Sequence, residues 1–372
     1  MVDLKQFEVN KKYVSYNNIH LLSDLHFGIR ANSLEWLSNQ LGFFEKFYFP
    51  YLKKNINEND ILCILGDIFD SRQSIDIFIL NSAINIIEKL SKILPVHILI
   101  GNHDCAKKYD TDVNSIVAFK HISNVTIYEK PLIITNNQTS ILMLPWFGNK
   151  DIEENFVRAN KFDYLFTHID IIGFKYDNGE EIKDTKGVDI LKFKNNIKKL
   201  FSGHIHKRQQ KDNFIYIGSP YHMKRSDIGN IKGIYLFSPD INSFTFTQNE
   251  YSPTFQRILL EEILEFSLYE TIKLLNNNYT DIIVPDKYIH LFNLTKFIDI
   301  LKGCNYKKIE TIGERKRLED EFSNALNGID IKDILTLLNV SIKDLGYQTE
   351  VQTKLIAINK DYYENAGKEN ID

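Results

Sequence analysis

The chain has 372 residues, 43% hydrophobic and 25% charged, enough for a full apolar core and about two domains. With 17 Gly and 8 Pro it is no low-complexity chain, and it has no run of roughly 18 apolar residues that would cross a membrane. A net charge of −4 speaks against nucleic-acid binding through surface basicity alone, although two divalent cations would cancel it.

The opening MVDLKQFEVNKKY is polar and charged, unlike a secretory signal. Cys63, Cys105 and Cys304 are scattered and odd in number, as expected of reduced cytosolic thiols rather than a disulfide framework or zinc site. In chain order, short apolar runs predict strands over 18–23, 60–65, 95–100, 140–144, 164–167, 200–202, 214–217 and 233–237. Leu34, Leu37, Leu41, Phe44 and Phe47 or Tyr48 make a helical stripe, with Ser33 placed to cap it. Ile75, Ile79, Ala83, Ile86, Ile87 and Leu90 make another. Several strands lack polar alternation, which predicts burial on both faces, and their alternation with helices predicts a layered α/β domain over residues 1–250. Beyond Tyr251, helical spacing over 268–275 and 294–301 and strand-like runs over 281–284 and 308–312 predict a small α+β domain, residues 251–313. Residues 314–372 read as a charged helical tail with apolar positions at Ile331, Ile334, Leu335, Leu337 and Leu338, suited to docking on a partner.

Five polar clusters stand at or just past the ends of these strands. They are Asp24-Leu25-His26, Gly66-Asp67-Ile68-Phe69-Asp70, Gly101-Asn102-His103-Asp104, Thr167-His168 and Gly203-His204-Ile205-His206. Loops at strand ends of an α/β sheet converge on one crevice. The i, i+2 pairs Asp24/His26 and His204/His206 can each face one side of extended backbone. Glycines before Asp67, Asn102 and His204 are expected to let the chain turn sharply and bring backbone close to a ligand. The set holds carboxylates, imidazoles and an amide but no thiol, which suits octahedral manganese or iron better than structural zinc. There are enough ligands for two ions sharing a carboxylate, and metals about 3.5–4 Å apart activate water and stabilise an in-line phosphoryl displacement. Taken singly, Asp24 reads equally well as a turn residue and His168 as a core histidine. The ordered set is what gives them a common purpose. His20, His97 and His121 lie outside the clusters, where structural roles are expected, while His222 lies close enough by motif to reach a substrate.

The ordered set D-x-H, G-D-x-x-D, G-N-H-D, a lone His and G-H-x-H resembles the calcineurin-like metallophosphoesterases. Ser23-Asp24-Leu25-His26-Phe27-Gly28, Pro145-Trp146 and Gly218-Ser219-Pro220-Tyr221 extend the likeness to the SbcD-type nuclease subunit of the double-strand-break repair nuclease–ATPase complex, and especially to its tailed-phage form, the recombination endonuclease subunit. The catalytic likeness covers roughly residues 15–240. It implies an α/β fold, a layered β-sandwich flanked by helices, with a capping domain and a partner-binding tail. It also implies a cytoplasmic enzyme, bacterial or in a phage-infected host, that uses two Mn²⁺ with Mg²⁺ as a substitute. One ion would take Asp24, His26, Asp67 and His206, and the other Asp67, Asn102, His168 and His204. His103 would sit over the phosphate and either protonate the leaving oxygen or stabilise the transition state, with Asp104 holding its ring. The implied activity is 3′→5′ exonucleolytic on duplex DNA and endonucleolytic on single strands, in a homodimer within a heterotetramer with a coiled-coil ATPase of the SbcC type.

Cellular and archaeal relatives often carry histidine where this chain has Asp70, so the role of Asp70 is open. Lys207, Arg208 and Lys211 follow His206, Lys107 and Lys108 follow Asp104, and Lys224 and Arg225 follow the Gly-Ser-Pro turn; each is a candidate DNA-backbone contact. The alternative is a metallophosphodiesterase or phosphoprotein phosphatase with a non-DNA substrate. Phosphatases usually show G-D-x-V-D-R-G and G-N-H-E, which this chain lacks.

Overall fold

The computed structural model describes residues 3–313, apart from 108–109, 184, 194–196, 290 and 302–303; the expected tail, 314–372, lies outside the described residues. Two stacked sheets form its centre. One has six strands in the order Ser243–Gln248, Gly233–Ser238, Ile19–Leu22, Ile61–Leu65, Val96–Leu99 and Val125–Tyr128. The other has seven, in the order Lys11–Tyr13, Leu132–Thr135, Ser140–Leu144, Tyr164–Thr167, Lys199–Ser202, Phe214–Tyr216 and Gln209–Lys211.

The missing alternation now has a cause. Ile61, Cys63 and Leu65 face the sandwich interior with Met143, Phe166 and Phe201, while Leu62 and Ile64 join Leu37, Ile79 and Ile86 under the helical layer. The seven-stranded sheet buries its other face too, with Leu142, Leu165 and Leu200 packed in a cluster with Val157 of the helix Lys150–Ala159. The architecture is a β-sandwich flanked by helices. Ile19–Leu22, Ile61–Leu65 and Val96–Leu99 run parallel, as do Ser140–Leu144, Tyr164–Thr167 and Lys199–Ser202. Their C-terminal ends carry the polar clusters. Among the described residues, no helix is long and apolar enough to cross a membrane.

Ser33 caps the helix Leu34–Phe43 by accepting from Trp36 N at 3.5 Å. That helix continues through a π-helical turn, Phe44–Tyr48, into Phe49–Asn55, and the wider turn buries both Phe44 and Tyr48. Ahead of it lies an unusual backbone. Gly28, Arg30, Ala31 and Asn32 all have positive φ, at 93°, 57°, 53° and 62°. The Arg30 guanidinium lies 4.7 Å above the Trp36 ring and 5.5 Å above Phe255, and donates to the Met223 carbonyl at 3.3 Å.

Residues 255–313 build a third, three-stranded sheet, Phe255–Leu259, Tyr279–Val284 and Lys308–Gly313, over a core that includes Ile258, Leu275, Ile282 and Ile309. Through Ile312 this sheet belongs to one compact unit with the sandwich. Trp36 stacks on Tyr279 at 5.3 Å between ring centroids, and the Tyr279 hydroxyl donates to Glu35 at 2.6 Å.

His97 is structural, as expected of a histidine outside the clusters. It is buried with Nδ1 2.7 Å from the Tyr128 hydroxyl, and burial, aided by Lys12, pushes its pKa down to about 4. Below the ordinary histidine pKa the unfolded chain takes up a proton that the folded chain refuses. Stability from this residue is therefore complete above about pH 6.5 and is lost as pH falls toward 4. Urea melts should show the parent losing roughly 2–3 kcal/mol more between pH 7 and pH 4.5 than His97→Gln, which keeps a neutral hydrogen-bonding side chain. Equal acid sensitivity in the two proteins would refute the assignment.

Candidate metal centre

The five clusters meet at one end of the sandwich, in loops fastened to one another by backbone. Asp24, His26 and Phe27 donate their N–H groups to the carbonyls of Gly66, Asp67 and Ile68 at 3.1, 3.0 and 2.7 Å. Asp24, His26, Asp67 and His204 all have left-handed backbone, with φ of 53°, 45°, 53° and 86°. Strain of about 1–3 kcal/mol per such residue persists only where surroundings enforce it. Gly101 and Gly203 serve this enforcement rather than a ligand's approach. A Cβ on Gly101 would strike Asp67, and one on Gly203 would strike the Ser23 hydroxyl and the Leu65 carbonyl.

Four imidazoles line the centre, and each turns one nitrogen outward. His168 Nδ1 is 2.7 Å from the Leu65 carbonyl, His204 Nε2 is 3.0 Å from Asp170 Oδ1, His26 Nδ1 is 3.0 Å from Asp70 Oδ1, and His206 Nδ1 is 3.1 Å from Asp177 Oδ2. A neutral imidazole carries one N–H. With that proton given to the outer acceptor, the inner nitrogen is a lone pair. Three of the inner nitrogens face oxygens. His168 Nε2 lies 3.3 Å from Asp67 Oδ2 and 2.9 Å from Asn102 Oδ1, and His204 Nδ1 lies 2.7 Å from the same amide oxygen. His26 Nε2 lies 3.6 Å from Asp67 Oδ2. Both His26 Nε2 and Asp24 Oδ2 are buried with no hydrogen-bond partner.

Lone pairs opposed to buried carboxylates call for cations, so this donor set fits divalent metal. Without metal, protons take that place. Burial lowers the pKa of His168, but Asp67 outweighs it and pushes the imidazole up to about 9. Burial likewise raises Asp67, yet His168 and His26 hold it well below the usual carboxylate range. Ligand atoms of Asp24, His26 and His206 lie within 4.8 Å of one another, as do those of Asp67, His168 and His204, and those of His26, Asp70 and His103. Asn102 joins the second group through its contacts with both histidines.

Asp104 requires a correction. The sequence reading gives it the His103 ring, but its carboxylate accepts four backbone N–H groups instead. Gly101 and Asp67 donate to Oδ2 at 2.9 and 2.8 Å, and Ile68 and Phe69 to Oδ1 at 3.0 and 3.3 Å. It staples one motif loop to the other. The His103 ring is held by the Asp70 carbonyl, 2.6 Å from Nδ1, while the His103 N–H donates to Asp67 Oδ1 at 2.8 Å. Asp70 thus acquires two tasks, its backbone on His103 and its side chain on His26.

The basic residues divide. Lys107 and Lys207 stand near the centre by sequence, and Lys108 lies outside the described residues. Arg225 is committed to Asp281 at 2.9 Å and to Glu310, both in the small sheet, because its side chain points across that junction rather than into the crevice. Lys211 is tied to the Gly173 carbonyl, Arg208 lies 4.2 Å over the Phe246 ring, and Lys224 Nζ is 2.7 Å from Asp177. His222 is structural: Nδ1 accepts from Phe255 N at 3.2 Å, and Nε2 is 3.0 Å from the Asn230 carbonyl. Sequence reasoning missed Asp170 and Asp177. The one available signal was Asp170 standing two residues after His168.

Residues 18–208 match the family model of the calcineurin-like phosphoesterases. The chain is 24% identical to Exonuclease subunit 1 of Enterobacteria phage T4 over 84% of its own length and 94% of that protein. It is 30% identical to the protein named phosphoesterase 078R of Invertebrate iridescent virus 3, over 44% of this chain and 48% of the other. Identity to the protein named phosphoesterase 244L of Invertebrate iridescent virus 6 is 23%, over 72% of this chain and 89% of its relative.

Proposed function

The chain belongs to the calcineurin-like phosphoesterases, and from that premise we propose that it is a DNA-cleaving subunit of a recombination and repair nuclease. The observation that carries the chemistry is the set of inward lone pairs facing Asp24, Asp67 and Asn102. Likeness to a phage exonuclease subunit over 84% of the chain supports DNA as the substrate.

In this reading Asp24, His26, Asp67 and His206 would hold one Mn²⁺, and Asp67, Asn102, His168 and His204 the second, with Mg²⁺ as a substitute. Such a pair, when bound, supplies water activation and charge withdrawal from the phosphate. The protein's own groups do the rest. His103, its Nδ1 fixed by the Asp70 carbonyl, offers Nε2 to the phosphodiester and passes a proton to the leaving oxygen. Burial lowers its pKa, with Asp67 and Asp70 partly offsetting that, and an arriving phosphate's negative charge raises it again. The Trp146 ring packs 5.0 Å from that of His204 and restrains it. Lys107 and Lys207 meet the DNA backbone at the rim. The enzyme acts 3′→5′ on duplex ends and endonucleolytically on single strands, as a homodimer whose tail docks a coiled-coil ATPase.

The test is Mn²⁺-dependent turnover of labelled linear DNA beside bis-p-nitrophenyl phosphate. Both should be cleaved. Hydrolysis of the small ester with DNA left intact, even with the ATPase present, would favour a non-DNA phosphodiesterase and end the nuclease reading.

A further inference from the structure

Between the strand Tyr164–Thr167 and the strand Lys199–Ser202 the chain makes an excursion whose first part, residues 170–181, folds back over the Gly203-His204-Ile205-His206 loop. It is a built arm rather than a loose connection. Tyr176 N donates to the Glu180 carbonyl at 2.8 Å and Gly179 N to the Tyr176 carbonyl at 2.9 Å, closing a tight turn in which Gly179 has φ 93°. The Gln209 side chain grips Lys175 by both backbone groups, accepting its N–H at 3.1 Å and donating to its carbonyl at 2.7 Å. The arm is thereby fastened three residues beyond His206.

This arm carries Asp170 and Asp177. Asp170 Oδ1 stands 3.0 Å from His204 Nε2, and Asp177 Oδ2 stands 3.1 Å from His206 Nδ1. Each carboxylate is itself held in place. Asp177 is held by Lys207 N at 3.1 Å and Lys224 Nζ at 2.7 Å, and Tyr176 lies beside Asp170 and helps keep its carboxyl ionised. Asp170 lies against the His204 nitrogen opposite the one that faces Asn102 Oδ1. One short arm therefore brings a separate anchored carboxylate to each histidine of the pair, hydrogen-bonded to His204 and in ion-pair contact with His206.

We propose that Asp170 and Asp177 are positioning residues that fix the tautomer and ring angle of His204 and His206, and so set how tightly each of two divalent cations is held. The inference rests on the metal-dependent reading above and deepens it. A carboxylate behind a ligating imidazole orients the ring and makes it a better donor, and its loss typically weakens metal binding about 10–100-fold. Because His204 and His206 serve different ions, the two losses separate: Asp170→Asn weakens only the site shared with Asp67 and His168, and Asp177→Asn only the site shared with Asp24 and His26.

The test is calorimetric titration of the metal-free full-length chain with Mn²⁺ alone, for the parent, Asp170→Asn, Asp177→Asn and the same-arm control Glu180→Gln. Thermal melts of the metal-free proteins accompany it. The expected result is two binding steps in the parent and the control. Each aspartate variant should show one step weakened about 10–100-fold, a different one in each, with the melting temperature unchanged. Parental affinities in both aspartate variants would overturn the inference and leave the phosphoesterase reading standing. Equal weakening of both steps, or equal loss in Glu180→Gln, would mean general damage to the arm and would also overturn it. A parent that binds no Mn²⁺ would overturn both the inference and the metal-dependent reading beneath it.

Discussion

His103→Gln is expected to lower kcat on phosphodiesters by roughly 10²–10⁴ while Mn²⁺ affinity and melting temperature stay at parental values. That loss corresponds to about 3–5 kcal/mol of transition-state stabilisation. The separation follows from geometry. The tie between this residue and Asp67 is its backbone N–H, at 2.8 Å, which glutamine keeps. The His103 ring stands outside the ligand groups built around Asp24 and Asp67 but forms a third group with His26 and Asp70, so the Mn²⁺ titration decides between ligation and proton transfer. Single-turnover cleavage of bis-p-nitrophenyl phosphate at saturating Mn²⁺, beside a calorimetric Mn²⁺ titration, distinguishes proton transfer from ligation. If the variant loses a Mn²⁺ site instead, His103 is a ligand and the proton-transfer role falls.

At the adjacent position the expected effect changes kind. Asp104→Ala leaves the buried N–H groups of Gly101, Asp67, Ile68 and Phe69 without their acceptor. Each unsatisfied buried donor costs about 1–3 kcal/mol, and allowing for relaxation the variant should lose on the order of 4 kcal/mol. Melting temperature should fall by roughly 10 °C in calorimetry, with or without metal. Asp104→Asn should fall between parent and alanine, because its amide keeps one accepting oxygen but turns an NH₂ toward two donors. A fully stable alanine variant that merely turned over slowly would restore the role in catalysis that the structure takes from Asp104.

These neighbours show where the sequence was readable. Asn102, His103 and Asp104 stand out because short polar residues at the end of an apolar strand need partners, and the ordered clusters point to one shared site. What Asp104 bonds to was hidden, because backbone amides look alike in every sequence. Asp170 and Asp177 were hidden differently: their histidines lie 34 and 29 positions away, and Asp177-Asn178-Gly179 reads locally as an ordinary turn. Arg225 and Lys211 look like free rim charges until Glu310 and the Gly173 carbonyl are brought to them by folding. The doubly covered strands were legible as unbroken apolar runs. The edge strand Lys11–Tyr13 was not, since all three of its residues are exposed, and Ser243–Gln248 carries no apolar run, only Phe244 and Phe246 alternating with polar residues.

Left-handed backbone in three successive non-glycine residues, Arg30, Ala31 and Asn32, raises the local free energy by about 1–2 kcal/mol for each. The turn is held against relaxation by the Arg30 side chain, seated over Trp36 and Phe255. Phe255 belongs to the small sheet, whereas Asp24 and His26 lie only a few residues upstream of the turn. The segment is therefore a wound spring with its catch on a neighbouring element. In hydrogen-exchange language, its amides need less free energy to open than relaxed backbone at equal burial. Displacing the small sheet would remove Phe255 from Arg30, a few residues downstream of Asp24 and His26.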